Sequence, residues 1–262
     1  MARTMQNGKG ADGKAGEASG ERLSPGTENY LLCLYKLWED STFPTTTQLT
    51  DTLKQLPLTE GLGTSVPSVA GMVRRMQRQG LVEIGKDKRI RLTEKGAEGG
   101  ADIARRHRLA EWLVVRLLGM DLYKAHVEAH RLEHGMSQEF QEKLMERLGY
   151  PDRSPFGRPI PGTGTPVVLP NSLTLDDASA NVTYLVDRVP EEDVMLLKFL
   201  ADSLILPGHE ISVDEATPYL GVIMVASGRN RIPIGYNVAH QILVRPGGDQ
   251  AAGSSNRQDL LN

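Results

Sequence analysis

The 262-residue chain has a single cysteine, no long apolar run and no surplus of basic charge. One thiol, Cys33, excludes an intrachain disulfide framework and suits a reducing compartment. Within Tyr30-Leu-Leu-Cys-Leu-Tyr35 it reads as a buried structural side chain. No apolar stretch approaches the ~20 residues of a membrane span, and Met1 to Gly10 hold no signal-peptide core. The expected location is cytoplasmic, without a membrane partner. A formal net charge of −3 gives no globally basic surface, so any nucleic-acid contact must come from a local patch. Glycine loops that cradle phosphates and a Ser-His-Asp set are also missing. What remains is ordinary globular composition, 39% apolar and 24% charged, enough for one large or two to three small domains.

The chain divides by composition. Residues 1–23 are too poor in apolar side chains to pack and read as a disordered arm, as do residues 247–262. Six of the fifteen prolines fall between Pro151 and Pro170, so 151–171 reads as a semi-rigid linker. It separates a helix-rich front from a strand-rich back. In front, helices are expected over Glu28–Glu39, from about Thr46 with Thr45 or Thr46 as N-cap, and after Ser65 with Pro67 in the first turn. Val69, Met72, Val73 and Met76 make the apolar stripe of the third helix, which Gly80 ends. Leu81–Ile84 and Arg89–Thr93 follow as a hairpin, which is the element order of a winged helix-turn-helix over 24–96.

A helical region, 97–150, comes next, with helices near Lys95–Leu118, Leu122–His134 and Gln138–Leu148. Gly119, Gly135 and Gly149 are expected C′ residues, and Asp121 and Ser137 N-caps. Phe140, Leu144, Met145 and Leu148 offer an apolar stripe for a dimer. Residues 172–246 alternate in short strands around a helical stretch, Glu192–Asp202, which suggests a small barrel. From Asp176 to Glu215 ten acidic residues face only Arg188 and Lys198, a surface that repels DNA.

Imidazole and carboxylate are concentrated in the helical region. His126, His130 and His134 recur every four residues in Lys124-Ala-His-Val-Glu-Ala-His-Arg-Leu-Glu-His134, with Glu133 among them. At about 100° per residue these side chains share one helix arc. His107 and Glu111 repeat the spacing upstream. Such nitrogen and oxygen donors suit a divalent transition metal, against the blander reading of a solvated polar face. His130-Arg-Leu-Glu-His134 also spells the H-x-x-E-H signature of inverted zinc peptidases. With no cleft or defined third ligand beside it, a peptidase stands only as an alternative, alongside a metal-buffering protein without DNA binding.

The local basic patch is the third helix and the wing. Arg74 to Arg91 hold seven basic residues against Glu83 and Asp87. Arg75, Arg78 and Arg91 can bond phosphates, and Ser65 and Ser68 can donate to phosphate or base edges. A protein-binding winged helix with merely solvated arginines is the competing interpretation. Ser68 and Gly71 are short for base readout, so DNA shape is expected to carry much of the specificity.

Together these motifs, with Arg153-Ser-Pro-Phe-Gly-Arg-Pro-Ile-Pro-Gly162, resemble the diphtheria toxin repressor family of metal-dependent bacterial repressors over about residues 24–246. That family is related to the iron-dependent and manganese transport regulators. The resemblance implies a mainly α fold with a small β domain: winged helix, helical metal-binding and dimerisation domain, and SH3-like (FeoA-like) barrel. It implies a homodimer on a double-stranded operator, with Thr46, Thr47, Ser65, Pro67 and Ser68 beside the arginines at the DNA.

By position, His107, Glu111 and His126 match the ancillary metal site, with Glu191 or Asp187 as the third-domain donor. His130, Glu133 and His134 match the activating site, with Asn29 at the first-helix position. This chain has His130 where iron-responsive members have Cys and manganese-responsive members Glu. It has Asn29 in place of Met or Asp, and an insertion over Leu56–Thr64. An all-nitrogen-and-oxygen site suits Mn(II) first and Fe(II) second, with Zn(II), Cd(II) or Co(II) able to substitute in vitro.

Overall fold

The computed structural model describes residues 23–56 and 62–247. The expected disordered arm and tail lie outside the described residues except for Leu23, which packs against the core of the winged helix, and Gly247, whose N–H donates to the Thr183 carbonyl; most of the Leu56–Thr64 insertion lies outside them too.

Helix α1 (Pro25–Glu39) begins where the Ser24 side chain accepts the Thr27 N–H, with Pro25 in the first turn. Helix α2 (Thr46–Gln55) opens on a capping box between Thr45 and Gln48. Helix α3 (Val66–Arg78) is capped by Ser65 and closed by Gly80 at φ 70°. Strands β1 (Val82–Ile84) and β2 (Ile90–Leu92) pair antiparallel as the wing. Val69, Val73 and Met76 pack with Leu31, Leu49 and Leu53 in the core beneath α1–α3.

Helix α4 (Glu94–Trp112) can start against the wing because Gly96 has no Cβ, which would lie 1.8 Å from the Leu81 carbonyl. It runs on as a π-helical turn, Leu113–Leu117. Helix α5 (Leu122–Leu132) stops before its histidine row is complete, and Glu133–Gly135 tighten into a 3₁₀ turn. Glu133 and His134 therefore leave the regular 100° spacing expected of them. Gly119 and Gly149 take left-handed φ, 67° and 77°, but Gly135 does not. Asp121 stands at the N-cap position of α5 as expected, but its side chain makes no capping bond and accepts from Tyr123 Oη and Lys124 Nζ instead. Ser137 caps α6 (Gln138–Leu148) as expected.

The apolar stripe of α6 is not a free dimer face. Leu144, Met145 and Leu148 are buried against Leu109, Ala110 and Ala129 of the same chain. A helix lying on α4 has to turn that stripe inward. Phe140, at 46% exposure, stays outside with Leu117, Leu118, Leu132 and Tyr150.

The back of the chain forms strands β3 (Leu173–Thr174) and β4 (Val182–Arg188), helix α7 (Val194–Asp202), strands β5 (Glu210–Thr217), β6 (Val222–Ser227) and β7 (Asn230–Gly235), the short helix α8 (Tyr236–Ala239) and strand β8 (Leu243–Pro246). The sheet order is β3-β8-β4-β5-β6-β7, with every pair antiparallel. Irregularities at Val186/Arg188 and Val213/Glu215 bend the sheet around its apolar side. Residues 151–171 connect the two halves as packed coil. Phe156 is fully buried in the β-domain core, and Ile160 in the helical core.

Candidate metal centre

Helices α4 and α5 and the 3₁₀ turn lean their polar residues toward one another beneath α1. Gly100 permits the approach of α1 to α4, since a Cβ there would lie 2.8 Å from the Tyr35 ring. His107, Glu111, His126 and Glu133 are at most 1% exposed. Burial this complete is costly for such groups unless they are paired or coordinate a cation.

Three of them, His107, Glu111 and His126, form one group with Glu191. His107 Nε2 lies 2.9 Å from Glu111 Oε1 and 3.0 Å from His126 Nδ1. Glu191, from the loop before α7, brings Oε1 to 4.0 Å from His126 Nδ1. The donor atoms of His107, Glu111, His126 and Glu191 all fall within 4.8 Å of one another. Three further atoms here, Glu111 Oε2, His126 Nε2 and Glu191 Oε2, are buried without a hydrogen-bond partner. A set of two nitrogens and two carboxylates with unsatisfied buried atoms fits a divalent cation. Asp187 is not part of it; its carboxylate accepts from Ser172 Oγ and lies 3.4 Å from Arg245 Nε.

A second group adjoins the first. Glu133 places Oε2 2.5 Å from His107 Nδ1 and Oε1 3.2 Å from His130 Nδ1. His134 Nε2 stands 3.6 Å from that same Oε1. Asn29, buried on α1, lines a cavity of about 170 Å³ together with Cys33 and His130. The carboxylate that α1 presents to His134 is Glu28, whose Oε2 is 2.6 Å from His134 Nδ1. Arg106 holds the other oxygen of Glu28 at 2.9 Å and donates to the Glu133 carbonyl at 3.2 Å.

Sequence reasoning missed Glu28, because a carboxylate in a first helical turn already has a reason to be there. It missed Lys36 and Arg158 as well, although Lys36 shares a helix face with apolar Leu32 and Cys33, a placement that signals a buried partner.

The electrostatics favour coordination. Burial pushes His107 and His126 down to about 4 and His130 to about 3, so the rings stay neutral and keep a lone pair to offer. Neutral His107 donates from Nδ1 to Glu133, which turns the Nε2 lone pair toward Glu111 and His126. Burial and the nearby Glu191 charge push Glu111 up to about 7. Against its burial, Glu191 is held well below the carboxylate range by Lys36 and Arg158. Against its own burial, Glu28 is held low by His134 and Arg106.

The winged head carries its charge outward. Thr47, Ser65, Pro67, Ser68, Arg75 and Arg78 are exposed and Thr46 is half-buried. Arg91 is committed locally, 2.6 Å from Asp87 Oδ2 and stacked over Phe43.

Three family models match the chain in series. They are the iron dependent repressor N-terminal DNA binding domain over residues 22–90, the iron dependent repressor metal binding and dimerisation domain over 93–162, and the FeoA domain over 173–246. The iron-dependent repressor IdeR of Mycobacterium tuberculosis is 34% identical over 230 residues, covering 83% of this chain and 96% of the relative. The diphtheria toxin repressor of Corynebacterium glutamicum is 40% identical over 138 residues, 53% of this chain and 57% of its own length. Among solved structures, the manganese regulator SloR superposes with a TM-score of 0.69 at 28% identity, covering 86% of this chain and all of the other. A manganese-dependent transcriptional repressor in complex with manganese gives 0.70 at 27% identity, with 84% and 99% covered. With a winged head, a buried histidine–carboxylate centre and a third β domain all matched in order, the chain belongs to the diphtheria toxin repressor family of metal-dependent, DNA-binding repressors.

Proposed function

We propose that this protein is a homodimeric repressor of metal-homeostasis genes, metal uptake among them, which grips its double-stranded operator when Mn(II) or Fe(II) fills the buried centre. His107, Glu111, His126 and Glu191 hold one ion. His130, Glu133 and His134 hold the other, with Asn29 as the α1 donor and Glu28 orienting His134. The metal supplies a fixed positive charge to which ligands from separate elements are drawn. Glu133, with one oxygen on each group, ties the two together. Through Glu28 and Asn29 the state of the centre reaches α1, and so the spacing of the two winged heads. Filling the centre and binding DNA then strengthen each other, as linkage requires.

The observation that carries this reading is the convergence of His107, Glu111, His126 and Glu191 around three unsatisfied buried atoms. The proposed ligand set has no sulfur, which favours Mn(II) over Fe(II), with Zn(II), Cd(II) or Co(II) as substitutes in vitro. The relatives named as iron-dependent and manganese-dependent repressors support the same choice of ions. The H-x-x-E-H peptidase alternative fits poorly, because Glu133 is fully buried with its oxygens turned to His107 and His130. The exposed arginines of α3 favour a DNA-reading protein over a metal buffer. Selection from a random duplex library with and without Mn(II) tests the proposal. Enrichment of a two-fold symmetric sequence only with metal is expected; equal enrichment in chelator defeats it.

A further inference from the structure

Lys36 lies on α1, 9% exposed, in a position where a lysine has to be paired. Its Nζ is 2.5 Å from Glu191 Oε1 and 3.3 Å from Glu192 Oε1, both on the third domain. The Glu191 oxygen it touches is the one 4.0 Å from His126 Nδ1. One carboxylate oxygen thus faces an ammonium on one side and the histidine–carboxylate group on the other. Arg158 Nε stands farther off, 3.7 Å from the same oxygen.

We propose that Lys36 sets the metal affinity of this site, by neutralising Glu191 as long as no divalent ion does. The inference rests on the assignment of Glu191 to the centre made above. Two effects act in the same direction. The Lys36–Glu191 pair stabilises the metal-free arrangement by already neutralising the carboxylate, so that Glu191 gains less from a divalent ion even through its unpartnered Oε2. The retained ammonium then stands next to a divalent charge in a buried, weakly screened place, where like charges repel. Both make binding weaker than His107, Glu111, His126 and Glu191 alone would give. For a regulator this is a working advantage, because the threshold for filling the centre is raised above the level at which scarce metal would occupy it. Lys36 is therefore a positioning residue whose removal produces a gain, the opposite of what loss of a ligand or of a packing contact does.

Chelator-competition titration of Mn(II) on the full-length protein, without DNA, measures this directly. Lys36→Met keeps the length and apolar stem of the side chain, and Arg158 remains to face Glu191. It should bind Mn(II) about tenfold more tightly than the parent, within the usual range for coupled charges. Lys36→Gln should show a smaller gain, and Lys36→Arg, which keeps the charge, should stay near the parent. In a Glu191→Gln background the gain from Lys36→Met should shrink to the part that comes from ammonium–metal repulsion alone. Circular dichroism accompanies each titration, and Lys36→Gln carries the test if Lys36→Met does not fold. Unchanged or weaker binding by folded Lys36→Met and Lys36→Gln overturns the inference. If the parent binds no Mn(II), or Glu191→Gln binds it as well as the parent, the site assignment fails and this inference fails with it.

Discussion

At the scale of single residues, the centre is built from groups whose protonation is set by burial, and this makes the metal-free protein acid-sensitive in a defined window. His107, His126 and His130 stay neutral down to about 4, 4 and 3, whereas in the unfolded chain each takes up a proton near 6.5. As pH falls below 6.5 the unfolded state binds protons that the folded state refuses, so stability is lost. Glu111 acts in the opposite sense. Raised from 4.5 to about 7, it contributes stability at low pH that disappears as pH rises through 7. Between 4.5 and 6.5 three histidines oppose one carboxylate, and the histidines prevail. Thermal melting in excess chelator should therefore give a lower Tm at pH 5 than at pH 7, and added Mn(II) should raise Tm more at pH 7 than at pH 5. Glu28 makes a sharper single-residue test. Because it accepts from His134 Nδ1, it fixes the tautomer that leaves Nε2 facing Glu133. Glu28→Gln should weaken Mn(II) at the second group by about tenfold, read by chelator competition, as outer carboxylate partners of ligating histidines commonly do. Parent-like affinity would remove Glu28 from the centre.

At the scale of elements, the test belongs to α3. Arg75→Ala and Arg78→Ala should each weaken operator binding and reduce its salt slope by about one unit per lost phosphate contact. Mn(II) affinity without DNA should not move. A variant with parent DNA affinity would displace α3 from the groove. The helices themselves were legible because their signals are local: Ser65 before Pro67, the stripe of Val69, Val73 and Met76, Gly149 after Leu148. The residues proposed as metal ligands stand out in the sequence for the same reason, since His107 and Glu111, or His126 and His130, lie one turn apart. Partners drawn from distant elements were not. Glu28 reaches His134 across 106 residues and Lys36 reaches Glu192 across 156, and no periodicity records such contacts. The end of α5 was misjudged because its pattern of polar residues continues into a turn that changes geometry without changing composition.

At the scale of the whole molecule, charge holds the third domain against the head. Asp40, the residue that caps the end of α1, binds Arg188 at 2.8 Å and Arg158 at 3.1 Å, and Arg158 also reaches Glu39. Deleting the third domain after Pro170 would uncover Phe156, Val114 and Ala125, which pack in its core, so truncation confounds metal effects with lost packing. Glu191→Gln is the cleaner test. It should raise the Mn(II) concentration needed for half-maximal DNA binding, read by fluorescence anisotropy, while DNA affinity at saturating metal stays near the parent. Unaltered metal dependence would separate the third domain from the mechanism. Phe156 and Ile160 bear on how far that domain can travel. They are seated in different cores, yet four residues of chain reach only about 13–14 Å when fully extended. While both stay seated, the third domain can pivot but cannot depart. Glu191, the ligand proposed from the third domain, is then on a short leash, present at its site at high effective concentration even when every ion pair around it has opened. The centre re-forms as an intramolecular reaction, insensitive to dilution of the protein.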